Sequence, residues 1–144
     1  MIYLLEPIKK VVIEDIAYSG EEVKEKFFGG FCDCGGIMLQ KIWLNVENLR
    51  ILISECEKCW KNSAYFFNSR KFIKKEEVKV VGRGEFVEYL KNYLSDLEIE
   101  AIIEKAKGKP YRPSDLSRAK KKLNDMNISL EEVIETIKWF QKIG

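Results

Sequence analysis

The chain contains no histidine. That absence removes the commonest general base and every Ser-His or Cys-His nucleophile pair. It also removes every zinc site that needs an imidazole ligand. Glutamine occurs only at Gln40 and Gln141, and the 144 residues hold 3 prolines. Abundant Lys and Glu with few thermolabile amides is a thermophile-like composition. No apolar run approaches the ~18 residues of a membrane span. Met1–Leu5 is apolar, but Glu6 and Pro7 follow at once, with no basic n-region and no small-residue cleavage site. No secretory leader is therefore expected, and the expected location is the cytoplasm, with no membrane partner. Phosphate-loop, dinucleotide and nucleophile-elbow motifs are missing as well, so no enzymatic activity is expected.

What is present suits one compact domain or two small ones. Apolar residues make up 46% of the chain, enough to bury a core. Charged residues reach 33%, but 25 basic and 23 acidic side chains are interspersed for a net +2. Disorder needs low hydrophobicity with high net charge, and neither holds.

Extended segments are expected at Ile2–Leu5 and Val11–Ile16. Ser19-Gly20-Glu21-Glu22 has the S-x-x-E form of a capping box, predicting a short helix over 20–28 that stops at Gly29-Gly30. Ile37–Val46 and Leu49–Ser54 are rich in β-branched, aromatic and aliphatic residues, and predict a hairpin around Glu47-Asn48. Ala64–Phe67 and Val78–Val81 complete a small sheet. After Gly82-Arg83-Gly84 the period becomes helical. Phe86, Leu90, Leu94 and Leu97 share one face. Ser95 and Ser129 open further capping boxes, and Ser114 is expected to cap the helix between them. The expected organisation is α+β: a β-rich domain over 1–83 and an all-helical domain over 84–144.

All four cysteines fall between Phe31 and Trp60, as Cys32-Asp33-Cys34-Gly35-Gly36 and Cys56-Glu57-Lys58-Cys59. In a cytosolic chain such clustering favours metal or redox chemistry over disulfides. Two tight pairs, each beside a hairpin, allow four thiolates to converge on one tetrahedral ion at ~2.3 Å. Buried free thiols, a redox dithiol and an iron–sulfur centre are the competing readings. No single cysteine is marked as a low-pKa nucleophile. From Phe31 to Phe67 the pattern resembles the zinc-ribbon superfamily, a small three-stranded sheet whose knuckles hold a structural Zn²⁺. The resemblance implies one zinc ion, ligated by Cys32, Cys34, Cys56 and Cys59. Here the first knuckle is C-x-C where that family usually has C-x-x-C, which implies a different backbone path. Four thiolates would close the coordination shell to water and substrate, so the metal would be structural. Sites of this kind contribute folding free energy on the order of 10 kcal/mol.

Charge is unevenly distributed. Residues 60–84 and 105–144 each carry +5, whereas 85–104 carry −5. In the first basic block, Arg70, Lys71, Lys74 and Lys75 are interleaved with Trp60, Tyr65, Phe66, Phe67 and Phe72. Basic residues beside aromatics can track a phosphate backbone while bases stack. The bland alternative is sheet core with solvated edge lysines. The second block includes Arg112, Arg118, Lys121 and Lys122. A helix-turn-helix that reads DNA with the final helix is rejected, because Glu131, Glu132 and Glu135 would face the phosphates. The Ser114–Met126 helix, exposing Ser117, Arg118, Lys121 and Lys122, suits the role electrostatically. Asp96, Glu98, Glu100 and Glu104 give the helix before it an acidic face, which could pair with a basic block of the same chain or dock a basic partner.

Zinc ribbons recur in transcription, replication, translation and RNA processing, so the resemblance implies a nucleic acid, or a complex that processes one, as partner. The alternative is a protein-interaction adaptor with a structural zinc and a helical docking tail, anchored by Trp139 and Phe140.

Overall fold

The computed structural model describes residues Met1–Ile143, with side chains as far as Phe140; Gly144, the last residue of the expected helical domain, lies outside them. The chain forms two compact units. One comprises Met1–Leu4, Lys10–Glu14 and Tyr18–Val80; the other comprises Leu5–Lys9, Asp15–Ala17 and the segment from Val81 onward.

Nine strands build one sheet: β1 (Ile2–Leu5), β2 (Lys10–Ile13), β3 (Ile16–Ser19), β4 (Glu21–Glu22), β5 (Phe28–Phe31), β6 (Ile37–Val46), β7 (Leu49–Cys56), β8 (Asn62–Asn68) and β9 (Lys71–Val81). Their order is β3-β2-β1-β9-β8-β7-β6-β4, with β5 also paired to β6. The strands at the two ends of this path, β3 and β4, are separated in sequence by Gly20 alone. A sheet whose end strands are joined by one residue must curl until its edges approach, giving a nearly closed barrel. Any Cβ on Gly20 would strike the Trp43 carbonyl oxygen and the Leu44 and Ile42 side chains. Only glycine can make this link without displacing β6.

The expected helix over 20–28 does not form. Glu21 and Glu22 pair with Trp43 and Ile42, the Val23 N–H donates to Lys41 O at 2.8 Å, and the Gln40 N–H donates to Phe27 O at 2.9 Å. The S-x-x-E motif at Ser19 lacks an apolar helical stripe behind it, so pairing along β6 wins. The small sheet expected from the sequence is likewise part of a larger one. Val11–Ile16 is two strands, because Glu14 (φ 50°) and Asp15 (φ 67°) turn the chain. Ser69 (φ 49°) and Arg70 (φ 70°) make a second turn of the same sense, so the strand expected at Val78 begins at Lys71. Two consecutive positive φ angles match the twist of a tight hairpin. The β6–β7 hairpin forms as expected, with Val46 opposite Leu49 across Glu47-Asn48.

Alternation assigns the two faces of the sheet. Ile42, Leu44, Ile51, Ile53, Ala64 and Phe66 point to one side and join Ile2, Leu4, Val11 and Val78 in the buried core. Their neighbours Trp43, Arg50, Tyr65, Phe67 and Phe72 lie on the other side.

The second unit holds four helices, α1 (Phe86–Leu90), α2 (Asp96–Ala106), α3 (Pro113–Asp125) and α4 (Leu130–Ile143). Both reciprocal caps expected at its serines are present. The Glu98 N–H donates to Ser95 Oγ at 3.3 Å, and the Ser95 N–H donates to Glu98 Oε1 at 2.8 Å. Ser129 and Glu132 repeat the arrangement at 2.9 and 3.1 Å. Ser114 does not cap α3; Arg112 occupies that position, with Pro113 in the first turn. Proline is favoured there because its missing N–H would have no helical partner. Phe86, Leu90 and Leu94 are buried as the stripe predicts, whereas Leu97 is 51% exposed. No helix among the described residues is long and apolar enough to cross a membrane.

Candidate metal centre and basic surfaces

The knuckles follow from the hairpins. Cys32 and Cys34 sit in the loop from β5 to β6; Cys56 ends β7 and Cys59 lies in the turn from β7 to β8. Because β6 and β7 run antiparallel, the start of one lies beside the end of the other, with Met38 opposite Cys56. Both loops therefore meet at one end of the sheet.

The four sulfurs lie within 4.8 Å of one another. Cys34 Sγ and Cys56 Sγ are 3.5 Å apart, and Cys32 Sγ and Cys59 Sγ are 3.6 Å apart. A tetrahedron with ~2.3 Å metal–sulfur bonds has edges of about 3.8 Å, so the cluster is already near the size of a closed thiolate shell. The chain thus brings together four thiols that could hold a metal ion.

The backbone supports that arrangement. The N–H groups of Lys58 and Cys59 both point to Cys56 Sγ at 3.4 Å. The Cys32 N–H donates to Gly36 O at 2.9 Å and closes the first loop. Gly35 adopts φ 89°. A Cβ on Gly36 would stand 2.7 Å from Cys56 Sγ and 2.8 Å from Lys58 Cβ. The two glycines of C-x-C-G-G therefore do different jobs: one turns the chain, the other leaves room for sulfur. Trp60, immediately after the second knuckle, is 69% exposed.

As free thiols the cysteines are unequal. The Cys59 N–H, with that of Lys58 and the thiols of Cys34 and Cys59, outweighs burial and lowers Cys56 to about 6. At Cys34 the Gly36 N–H pulls downward, but donation to Cys56 Sγ, burial and the other two thiols push the group up to about 12. Metal binding requires thiolates and would release the protons these thiols carry.

The basic residues fare differently in the two units. On the β8–β9 hairpin, Arg70, Lys71 and Lys75 are exposed, and none has a carboxylate partner among the described residues. Lys74 pairs with Glu76 at 3.3 Å and lies over the Phe66 ring. Of the interleaved aromatics, Phe66 is core, whereas Phe72 is 53% exposed. The sequence reading missed Arg50 and Trp43, which lie outside the basic block. The Arg50 guanidinium sits 4.6 Å from the Trp43 ring centroid, on the face that Phe67 and Phe72 also occupy. Strand alternation in β6 and β7 was the signal that could have found them.

In the helical unit, two of the four candidate cations pair with buried carboxylates of the same unit. Glu98 is only 2% exposed and accepts from Lys122 Nζ at 2.8 Å, with Arg118 Nε 3.8 Å from its other oxygen. Arg118 also pairs with buried Asp115. Burial raises the Glu98 pKa, but the Lys122 and Ser95 hydrogen bonds and the Lys122 charge outweigh it and hold the carboxyl below its usual 4.5. Of the acidic residues of α2, Glu98 pairs with the basic side chains of α3. All four candidate cations are exposed; Arg118 and Lys122 reach their carboxylates from the surface of α3, and Arg112 and Lys121 lie at its start and on its body.

Comparison with known proteins follows the same division. Residues 1–80 match the AF0631-like N-terminal beta-barrel domain, and residues 83–136 match the AF0631-like C-terminal four-helix domain. These descriptions name a barrel and a four-helix domain, not a zinc ribbon. An uncharacterized protein of Archaeoglobus fulgidus is 46% identical over 138 residues, covering 96% of this chain and 100% of its own length. No solved structure matches. With its β-rich unit and its helices matched in order, the chain belongs to the AF0631-like family.

Proposed function

We propose that this chain is a non-enzymatic cytoplasmic protein that binds nucleic acid, or a complex that processes it, through its N-terminal unit. One structural zinc, held by Cys32, Cys34, Cys56 and Cys59 in the manner of a zinc ribbon, would stabilise that unit. The observation that carries this reading is the group of cations at one edge of the barrel. Arg50, Arg70, Lys71 and Lys75 are exposed and lack carboxylate partners among the described residues; Arg50 and Lys75 lie over the half-buried Trp43 and Tyr65 rings, and Lys71 precedes the exposed Phe72. Unpaired cations beside rings suit a polyanion whose bases can stack. With four thiolates and one Zn²⁺, the formal charge of +2 becomes about zero, so attraction must be local to this surface.

The test is fluorescence anisotropy with the metal-loaded chain, titrating labelled nucleic acids at two salt concentrations. Micromolar or tighter binding, with a salt slope that implies several phosphate contacts, is expected. No binding at ~50 mM salt, where phosphate contacts are strong, would remove the proposal.

A second reading rests on a different feature. In the helical unit an open groove of about 710 Å³ is lined by Pro7, Ile8, Glu131, Glu135, Thr136 and Trp139, among others. Trp139 and Phe140 are 41% and 46% exposed. An adaptor that docks a partner protein on α4 would use this groove.

A further inference from the structure

The nucleic-acid reading leaves open which form of nucleic acid the surface fits, and the outer face of the barrel bears on that. Cross-strand register places Trp43, Leu52, Tyr65 and Lys75 in one row across β6–β9, and Asn45, Arg50, Phe67 and Phe72 in the next. Leu52 is buried beneath the rings. Trp43 and Phe67 have centroids 6.0 Å apart at 41°, Phe67 and Phe72 6.0 Å apart at 64°, and Tyr65 and Phe72 6.4 Å apart at 50°. The rings form one continuous cluster, yet they are tilted rather than stacked face to face. They do not use up one another's faces.

The rings are also held in place. The Trp43 indole N–H donates to Gln40 Oε1 at 3.0 Å, and the Tyr65 hydroxyl lies 3.1 Å from Met38 Sδ. Past Tyr65 the surface continues onto β5. Phe31 O accepts from Lys75 Nζ at 3.3 Å and from Tyr65 Oη at 3.5 Å. Gly30 adopts φ 125°, and a Cβ there would strike the Tyr65 hydroxyl, so glycine lets β5 lie against that ring. The Phe31 ring is 71% exposed, packs edge-on against Phe28 at 5.0 Å, and immediately precedes Cys32. A band of half-buried rings (Trp43, Tyr65, Phe67) flanked by the exposed Phe72 and Phe31 does nothing for the core on the opposite face, and such patches mark binding surfaces.

We infer that this band is a stacking platform for a single-stranded nucleic acid. Trp43, Phe67, Phe72 and Phe31 would receive bases, while Arg50, Arg70, Lys71 and Lys75 meet phosphates. The inference rests on the nucleic-acid reading above and narrows it. Unpaired bases have open faces, whereas bases inside a duplex are already stacked on their neighbours. A duplex groove is read by a protruding helix or ribbon, and a broad sheet face offers neither. Charge complementarity selects an anionic strand over an apolar protein partner, because the cations that border the rings have no acidic partner. Four strands at ~4.8 Å spacing span about 15 Å, enough for a few nucleotides and near the low end of the ~4–16 known for comparable barrels. The cysteine centre gains a second role, since it fixes the loop from which Phe31 projects.

The test uses the full metal-loaded chain and three labelled probes: a 12-nucleotide oligo-U, a 12-nucleotide oligo-dT and a 12-base-pair duplex. Both single strands should bind at least tenfold more tightly than the duplex, and the ratio between them reports whether the 2′-hydroxyl is read. Phe72→Leu, at an exposed position, should weaken single-strand binding by ~5-fold or more while the melting temperature stays unchanged. Trp43 is half-buried, so its variants are compared at equal melting temperature: Trp43→Phe should bind more tightly than Trp43→Leu, a difference that a purely structural role would not leave once stability is matched. Equal affinity for duplex and single strands, or no effect of Phe72→Leu when Arg70→Ala and Lys71→Ala both weaken binding, would overturn the platform and leave the broader reading intact. No binding of any probe would overturn both.

Discussion

Residues 60–84 and 105–144 carry the same net charge, +5, on paper, yet the fold uses their cations in different ways. Arg118 and Lys122 meet the buried Glu98 carboxylate, and Arg118 also meets Asp115, so these two cations of the second block are committed to acidic partners within the helical unit. Arg70, Lys71 and Lys75 of the first block have no carboxylate partner among the described residues, and Lys75 lies over the Tyr65 ring. The lesson is that a charge count locates basic segments but does not say which charges are available. A buried carboxylate demands partners, because leaving it unpaired costs several times what an exposed pair is worth. An exposed lysine on a hairpin has no such obligation.

The contrast can be broken at its strongest points first. Cys56→Ser should abolish metal binding and with it cooperative unfolding of the N-terminal unit. Metal content and a thermal melt check this, and a variant that keeps both would show that the thiols hold no structural ion. Gly36→Ala should leave all four thiols in place but crowd Cys56 Sγ. Its metal affinity should fall by ~10–100-fold, the range for groups that position ligands; chelator competition measures it.

Glu98→Gln tests the second unit. It keeps the size of the side chain but removes the charge that holds Lys122 and Arg118, and should cost about 1–3 kcal/mol. The effect depends on pH in a definite direction. The folded Glu98 pKa lies below 4.5, so its stabilisation is complete above that value and fades as pH falls through the lower folded value. The wild-type and Glu98→Gln melting curves should therefore converge in acid. Ser129→Ala removes one half of a reciprocal cap and should cost ~1 kcal/mol by denaturant unfolding. Arg70→Ala with Lys71→Ala should change stability by no more than ~0.5 kcal/mol, because neither side chain is buried or paired. If these cations contact phosphates, the same pair should lower the salt slope of nucleic-acid binding by about 2.

Local chemistry was legible where it is self-contained. The two S-x-x-E boxes followed by apolar helical stripes, at Ser95 and Ser129, form as read. The same motif at Ser19 does not, because strand pairing with β6 supplies its backbone with partners that a short helix without an apolar face cannot match. Ser114 was misread for a related reason: Pro113 is suited to the first helical turn, which moves the cap back to Arg112.

The spacing of the cysteines into two tight knuckles, the change from β to helical period after Gly82 and the positions of the basic blocks are all readable along the chain. These depend on spacing along the chain and on the preferences of neighbouring residues. Folding in three dimensions adds the rest: β3 and β4 close the barrel across Gly20, Arg50 and Trp43 join Phe67 and Phe72 on one outer face, and Lys122 pairs with the buried Glu98. Each of those unites residues far apart in sequence, through sheet register or the demand of a buried charge. Such long-range terms leave no periodic trace in the chain.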